Sequence, residues 1–218
     1  MNPFALCGLL IGVACLAMAA WVYLSNPLRR TNRFWAIFCV AVAIWGLGGL
    51  AVGLSRTYDQ ALLSWRLAYV GVIFIPTLFH HFVVMFLDLR QQKTLVCAYL
   101  TSVFFEGLNA TGVLIPAVAK IFPDIYYLHP PTKLYTLFVL YFVFMTVYSH
   151  VKLYQFLQSS KDSKRRTQVR WFFIALAIAY SGGITCYLPV YGIKLYPYGN
   201  FTVPLYPVIM GYAIIRHQ

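Results

Sequence analysis

Apolar residues along this chain fall into seven long runs, near 3–24, 34–55, 61–87, 94–115, 133–157, 168–191 and 200–216. Each is of the order of the ~20 residues that carry a helix across a hydrocarbon core. Short polar stretches part them, among them "NPLRRTNR", "DLRQQK" and "SSKDSKRRTQVR". The pattern predicts an all-α membrane protein, a bundle of seven transmembrane helices over residues 1–218. It leaves no room for a soluble domain, a long linker, a low-complexity tract or an internal repeat.

The polar stretches also orient the bundle. Twelve of the 17 lysines and arginines lie in the first, third and fifth connections and the tail, from Arg29 to Arg216. The other side holds five: Arg56, Arg66, Lys120, Lys133 and Lys194. Cytoplasmic loops carry the excess of Lys and Arg, which predicts an outer N-terminus and a cytoplasmic C-terminus. The first run is not read as a signal peptide. "MNPFAL" has no positive charge before the apolar stretch, whereas Arg29 and Arg30 follow it.

Composition sharpens this picture. Hydrophobic residues make up 61% of the chain and charged residues 10%, far below the ~25% charged of soluble domains. The 17 Tyr, 17 Phe and 5 Trp suit interfacial aromatic belts. The net charge of +12 does not argue for nucleic-acid binding, because the basic residues sit in short loops and not on one soluble face. Cys7, Cys15, Cys39, Cys97 and Cys186 fall inside apolar runs without a CxxC or a His at metal-ligand spacing.

Polar groups inside the runs are the candidates for chemistry. Glu106, in "VFFEGLNATG", lies near the middle of the fourth span, where a carboxylate costs roughly 2.5–3.5 kcal/mol on insertion scales. It reads either as a ligand contact or proton-linked switch, or as a neutral, hydrogen-bonded structural acid. In the third span Arg66, Tyr69, Ile73, Thr77, His80, His81 and Val84 share one helical face, which predicts that this face looks inward. The reach of the Arg66 side chain suggests a pair with Glu106. His80, His81 and His150 form with Tyr69 and Thr77 a candidate interior polar network; ligation of haem or metal is the alternative, and no metal site is assigned.

Two ring-rich stretches, "IFPDIYYLHPPTKLY" and "YLPVYGIKLYPYGNF", read as belt residues or as an outer mouth able to hold a small ligand. The candidate input residues are Arg66, Glu106, Asn109, Tyr187, Tyr196, Tyr198 and Asn200. Gly182 and Gly183 in the sixth span, with Pro204 and Pro207 in the seventh, weaken backbone hydrogen bonding and are candidate hinges. There is no GxSxG, HExxH, P-loop or glycine-rich nucleotide loop. The chain carries no catalytic motif, and no cofactor is assigned.

With "RTNRFWAIFCVAVAIWGLG", "LSWRLAYVGVIFIPTLFHHFV" and "GIKLYPYGNFTVPLYPVIMGYAIIRHQ", the chain resembles the N-terminal seven-transmembrane sensor region of bacterial histidine kinases. Tyr196, Pro197, Gly199, Asn200, Tyr206, Ala213, Ile214 and Arg216 carry the resemblance at the end of the chain, and Trp65, Arg66 and Pro76 in the third span. The resemblance implies a multi-pass sensor of the bacterial inner membrane. Its seventh helix would drive a cytoplasmic output module, in cis or on a partner kinase, that is absent from these 218 residues. It also implies a homodimer. Membrane lipids and an unidentified small ligand are the other expected partners, and nucleic acid is not. A small-solute transporter, and after it a haem-binding membrane protein, are the competing functions.

Overall fold

The computed structural model describes residues 1–207, 209 and 210. Its long helices are α1 (Pro3–Ser25), α2 (Arg30–Leu54), α3 (Tyr58–Leu87), α4 (Gln92–Ala110), α5 (Lys133–Ser159) and α6 (Ser163–Gly183). A hairpin of β1 (Val118–Phe122) and β2 (Ile125–Leu128) lies between α4 and α5. Short 3₁₀ turns follow α6 at Ile184–Tyr187, Pro189–Tyr191 and Tyr198–Thr202. Among the described residues, five segments are long and apolar enough to cross a membrane: α1, α2, α3, α5 and Ser163–Tyr191.

Local chemistry sets the helix ends. The side chains of Asn2, Thr57, Thr132 and Asp162 each accept a hydrogen bond from a backbone N–H three residues on, satisfying a donor that a helix start leaves free. α3 stops at Asp88, which adopts the left-handed conformation. α4 ends at Ala110, short of the expected 115, because Thr111 caps it and Gly112 turns the chain at φ 77°. The sixth run departs from α-geometry after Gly183, near the expected weak point, and continues as tighter turns toward Pro189. In the seventh run residues 205–207, 209 and 210 are helical, preceded by a turn at Val203 and Pro204. Val208 and the stretch 211–218, with Ala213, Ile214 and Arg216, lie outside the described residues.

α1, α2 and α3 pack closely through small residues. Lipid tails are as apolar as leucine, so membrane helices associate through backbone proximity more than through the hydrophobic effect. "GLLIG" in α1 faces α2, where Gly46, Gly49 and Gly53 follow one another at helical spacing. A Cβ on Gly46 would stand 2.6 Å from the Gly12 nitrogen and 2.9 Å from the Gly8 carbonyl oxygen. α4 and α5 pack on α3, α6 packs on α5, and the seventh segment touches both α6 and α1. Thr202 Oγ1 donates to the Ile178 carbonyl at 3.1 Å, and the Tyr206 hydroxyl lies 3.2 Å from Cys15 Sγ.

The hairpin was not anticipated from the ring-rich stretch. Val118 pairs with Leu128, Ala119 with Tyr127, and Phe122 with Ile125, so Pro123 and Asp124 form the tip. It covers one end of the bundle and binds several elements together. Trp65 Nε1 donates to the Tyr126 carbonyl at 3.0 Å, and the Tyr127 hydroxyl donates to the Cys186 carbonyl at 2.7 Å. Asn2 Nδ2 donates to the carbonyls of Gly53 (2.8 Å) and Asp124 (3.2 Å), while Tyr196 donates to the Asp124 carboxylate at 2.8 Å. Burial raises the Tyr196 phenol above its usual range, and Asp124 adds to the shift, which keeps Tyr196 a donor to that carboxylate.

Candidate functional site

Below the hairpin lies a cavity of about 60 Å³, space for a few water molecules or a small ligand group. Its walls come from nearly every part of the fold. α2 supplies Phe38, Val42 and Trp45, and α3 supplies Trp65, Tyr69, Val72 and Ile75. Leu128 closes it from the hairpin, and Phe142 enters from α5. Leu176, Ala179, Tyr180, Gly183, Cys186 and Tyr187 line it from the sixth run, and Val203 and Tyr206 from the seventh. An apolar, aromatic chamber with a few phenolic groups is the usual composition of a small-molecule site.

The predicted input residues divide among three places. Tyr187 lies in the cavity wall and is buried. Asn200 is buried behind it, its amide on Cys186 Sγ. Tyr196 belongs to the hairpin contact, and Tyr198 lies against it with the two rings tilted by 34°, itself 58% exposed. Arg66, Glu106 and Asn109 form a separate cluster on α3 and α4.

That cluster corrects the expected Arg66–Glu106 pair. Arg66 donates through Nε (3.1 Å) and Nη2 (3.0 Å) to the Ile115 carbonyl, in the turn after α4. Glu106 instead accepts from Asn109 Nδ2 at 3.4 Å, and the same amide donates to the Arg66 carbonyl at 3.0 Å. Loss of the α4 helix at Ala110 explains the change, since the unwound carbonyl of Ile115 needs a donor and a long cation reaches it. Replacing Arg66 with Met should cost about 1.5–3 kcal/mol, the value of hydrogen bonds from a charged donor. Thermal unfolding of the purified protein, with proteolysis mapped to 111–117, checks this. An unchanged midpoint and digestion pattern would show that the turn holds without Arg66.

The predicted polar network is five separate contacts. The Tyr69 hydroxyl bonds to Tyr135. Thr77 Oγ1 lies 2.7 Å from Ser102 Oγ, which also donates to the Ile73 carbonyl one turn before Pro76, a proline inside α3. His80 Nδ1 faces Ser149 Oγ at 3.1 Å, and His81 Nδ1 faces the Tyr99 hydroxyl at 2.8 Å. His150 Nδ1 donates to the Thr146 carbonyl at 2.8 Å. Among the described residues no three His, Cys, Asp or Glu side chains converge as metal ligands.

Gly182 and Gly183, the candidate hinges, have different surroundings. Gly182 is the point where the sixth run and the seventh meet backbone to backbone, against Gly199 and Thr202. Gly183 looks into the cavity, where a Cβ would find only Trp45 Cη2 at 3.7 Å and Val203 Cγ2 at 3.9 Å. Pro204 follows the last 3₁₀ turn and Pro207 lies in the helical stretch after it. Sequence reasoning did not select Trp45, Trp65, Tyr180 or Tyr206 as lining residues. Aromatic spacing within an apolar run carries no mark that separates a cavity wall from a packed core.

Apolar helices of membrane-crossing length, capped at one end and enclosing an aromatic chamber, define a membrane-embedded helical protein with an internal cavity. A family model described as the N-terminal 7TM region of histidine kinase matches residues 7–218, and the chain belongs to that family. Membership implies a membrane sensor region that is not itself catalytic. Nothing among curated proteins matches the chain. Nothing among solved structures matches it either.

Proposed function

We propose that this chain is the input region of a bacterial sensor kinase, lying in the inner membrane with its N-terminus outside and its C-terminus in the cytoplasm. It crosses seven times, α4 and the seventh run completing the five longer spans. A small ligand or membrane signal acts on the capped cavity, and the seventh helix passes the result to a cytoplasmic output module in cis or on a partner kinase. The observation that carries this reading is the cavity wall itself. Val203 and Tyr206 of the seventh run form part of it, so whatever fills the chamber touches the segment that leads out. A ligand that binds one arrangement of that wall better than another shifts the population between them. The 12-to-5 division of basic residues supports the orientation.

The test is to reconstitute the chain with its kinase and compare phosphorylation in wild type and Gly183→Leu, which fills the space toward Val203. The expected result is a variant locked at one output level whatever the stimulus. Unchanged regulation in the variant would remove the cavity from signalling. Solute accumulation in vesicles holding this chain alone would favour the transporter.

A further inference from the structure

The size and dryness of the capped cavity narrow what it can hold. Its volume is about 60 Å³, roughly twice the ~30 Å³ share of one liquid water and less than half the ~150 Å³ that takes up benzene. An occupant of a few heavy atoms fits, and a ring does not.

The polar groups on the wall are engaged elsewhere. Trp65 Nε1 donates to the Tyr126 carbonyl at 3.0 Å, and the Tyr69 hydroxyl bonds to Tyr135. The Tyr206 hydroxyl lies against Cys15, and the Tyr180 hydroxyl interacts with Thr146 of α5. Cys186 Sγ accepts from the Asn200 amide, and Trp45 turns ring carbon Cη2 toward Gly183. The Tyr187 hydroxyl is left, with no hydrogen bond among the described residues. One such group does not hold a water, which takes two to four polar partners, so the space stays dry.

A dry void forfeits the contacts its lining would otherwise make. Gly183 is the residue that leaves room for it. Its angles are those of a helix, φ −60° and ψ −34°, and a Cβ there would meet Trp45 and Val203 only at ordinary contact distance. Neither conformation nor close approach requires glycine at 183, in contrast to Gly182 against Gly199 and Thr202. Glycine also weakens a helix relative to alanine. Its structural effect here is space on the cavity wall.

The cavity has a side toward lipid. Phe142 and Tyr180 line it and also line a groove of about 460 Å³ between α5 and α6. Val147, Val151 and Tyr154 in that groove are 55%, 43% and 53% exposed, as side chains facing lipid are. Two rings thus stand between the cavity and hydrocarbon, while the hairpin covers the outer end. Apolar solutes leave water for an apolar medium, so a bilayer concentrates an apolar gas beside this wall.

We propose that the cavity takes up a dissolved apolar gas, a molecule of dioxygen's size, entering from the bilayer past Phe142 and Tyr180. The gas restores contacts that the void forfeits, and it does so against Val203 and Tyr206 of the seventh run. Its part as a signal rests on the proposed role of this cavity as the input site. Uptake itself does not, and it is measured without a kinase.

The experiment follows paramagnetic relaxation at the Ile and Val methyl groups of the whole protein, in nanodiscs equilibrated with dioxygen or with nitrogen. Val42, Val72, Ile75 and Val203 line the cavity, Val40 and Ile44 face outward on α2, and Ile11 and Ile73 are buried away from it. Dioxygen should relax the lining methyls at least as strongly as Val40 and Ile44, and several-fold more than Ile11 and Ile73. Gly183→Leu, which fills the space, should bring the lining methyls down to the level of Ile73 and leave Val40 and Ile44 unchanged. Lining methyls as protected as Ile73 in wild type overturn the proposal, and that comparison needs no variant to fold. Cross-relaxation from the lining methyls to water would make the space wet, and to acyl-chain protons would give it to a lipid tail. Either equally overturns it. Uptake with a kinase output that ignores dioxygen would refute the input reading and leave the gas site standing.

Discussion

Gly46→Val should destabilise the protein by about 3 kcal/mol or more, at or above the upper end of overpacking costs. The reason is the kind of atom in the way. A new side chain meets the Gly12 nitrogen at 2.6 Å and the Gly8 carbonyl oxygen at 2.9 Å, and backbone within a helix cannot swing aside as a side chain would. α1 and α2 must separate along their shared length. In lipid nothing compensates, because apolar surface exposed by the separation is met by tails of the same polarity. Folded yield in detergent and the midpoint of thermal unfolding both test this. Near-normal values for Gly46→Val would mean that the two helices do not depend on this close approach.

The second large effect is Gly182→Val. Its Cβ would collide with Thr202 Oγ1 and the Gly199 carbonyl, whose carbon stands only 3.0 Å away. The substitution should push the seventh run off α6. Cys15 and Cys39 both contact the Tyr206 hydroxyl and are fully buried, so they report on this movement. Maleimide labelling of Cys15, resolved by mass spectrometry, should accelerate about tenfold for each ~1.4 kcal/mol by which the contact is weakened. Gly183→Ala is the matched control, since its Cβ finds only ordinary van der Waals neighbours. If both variants label like wild type, the meeting of the sixth and seventh runs is dispensable.

What was legible in the sequence follows from which signals lipid makes strong. An apolar run of twenty residues between charged stretches has one stable conformation in a bilayer, and so α1, α2, α3 and α5 were readable within a few residues of their ends. α4 was readable as a helix and not in its length, because Thr111 and Gly112 turn the chain locally while the apolar run continues past them. The β-hairpin was missed because Tyr and Phe near a membrane surface also suit a belt. The alternation in "VAKIF" and "IYYL" about a Pro-Asp tip was nevertheless available. "GLLIG" and "GLAVG" were equally available as close-packing signals.

For the candidate site, rise and reach suggested Arg66 with Glu106, but the contacts each makes were not legible, and Asn109, which lies between them, was named without a partner. The Ile115 carbonyl becomes an acceptor only when α4 unwinds, and backbone carbonyls leave no trace in a residue pattern. Tyr187 came from the ring-rich stretch, whereas Tyr180 and Tyr206 sit in apolar runs where nothing distinguishes them.

The hairpin's ties have a further meaning for the order of assembly. α1, α2 and α3 can pair as each follows its neighbour from the ribosome, since their contacts link adjacent helices. The latch on α1 comes much later. Asn2 reaches Asp124, 122 residues on, and the Phe4 amide donates to the Tyr196 hydroxyl, 192 residues on. Contacts so distant along the chain form slowly because loop closure precedes any gain from them. Within the bundle the first turn of α1 is thus made before every other helix and fastened after them. Until the residues around Tyr196 are made, that end of the bundle stays open.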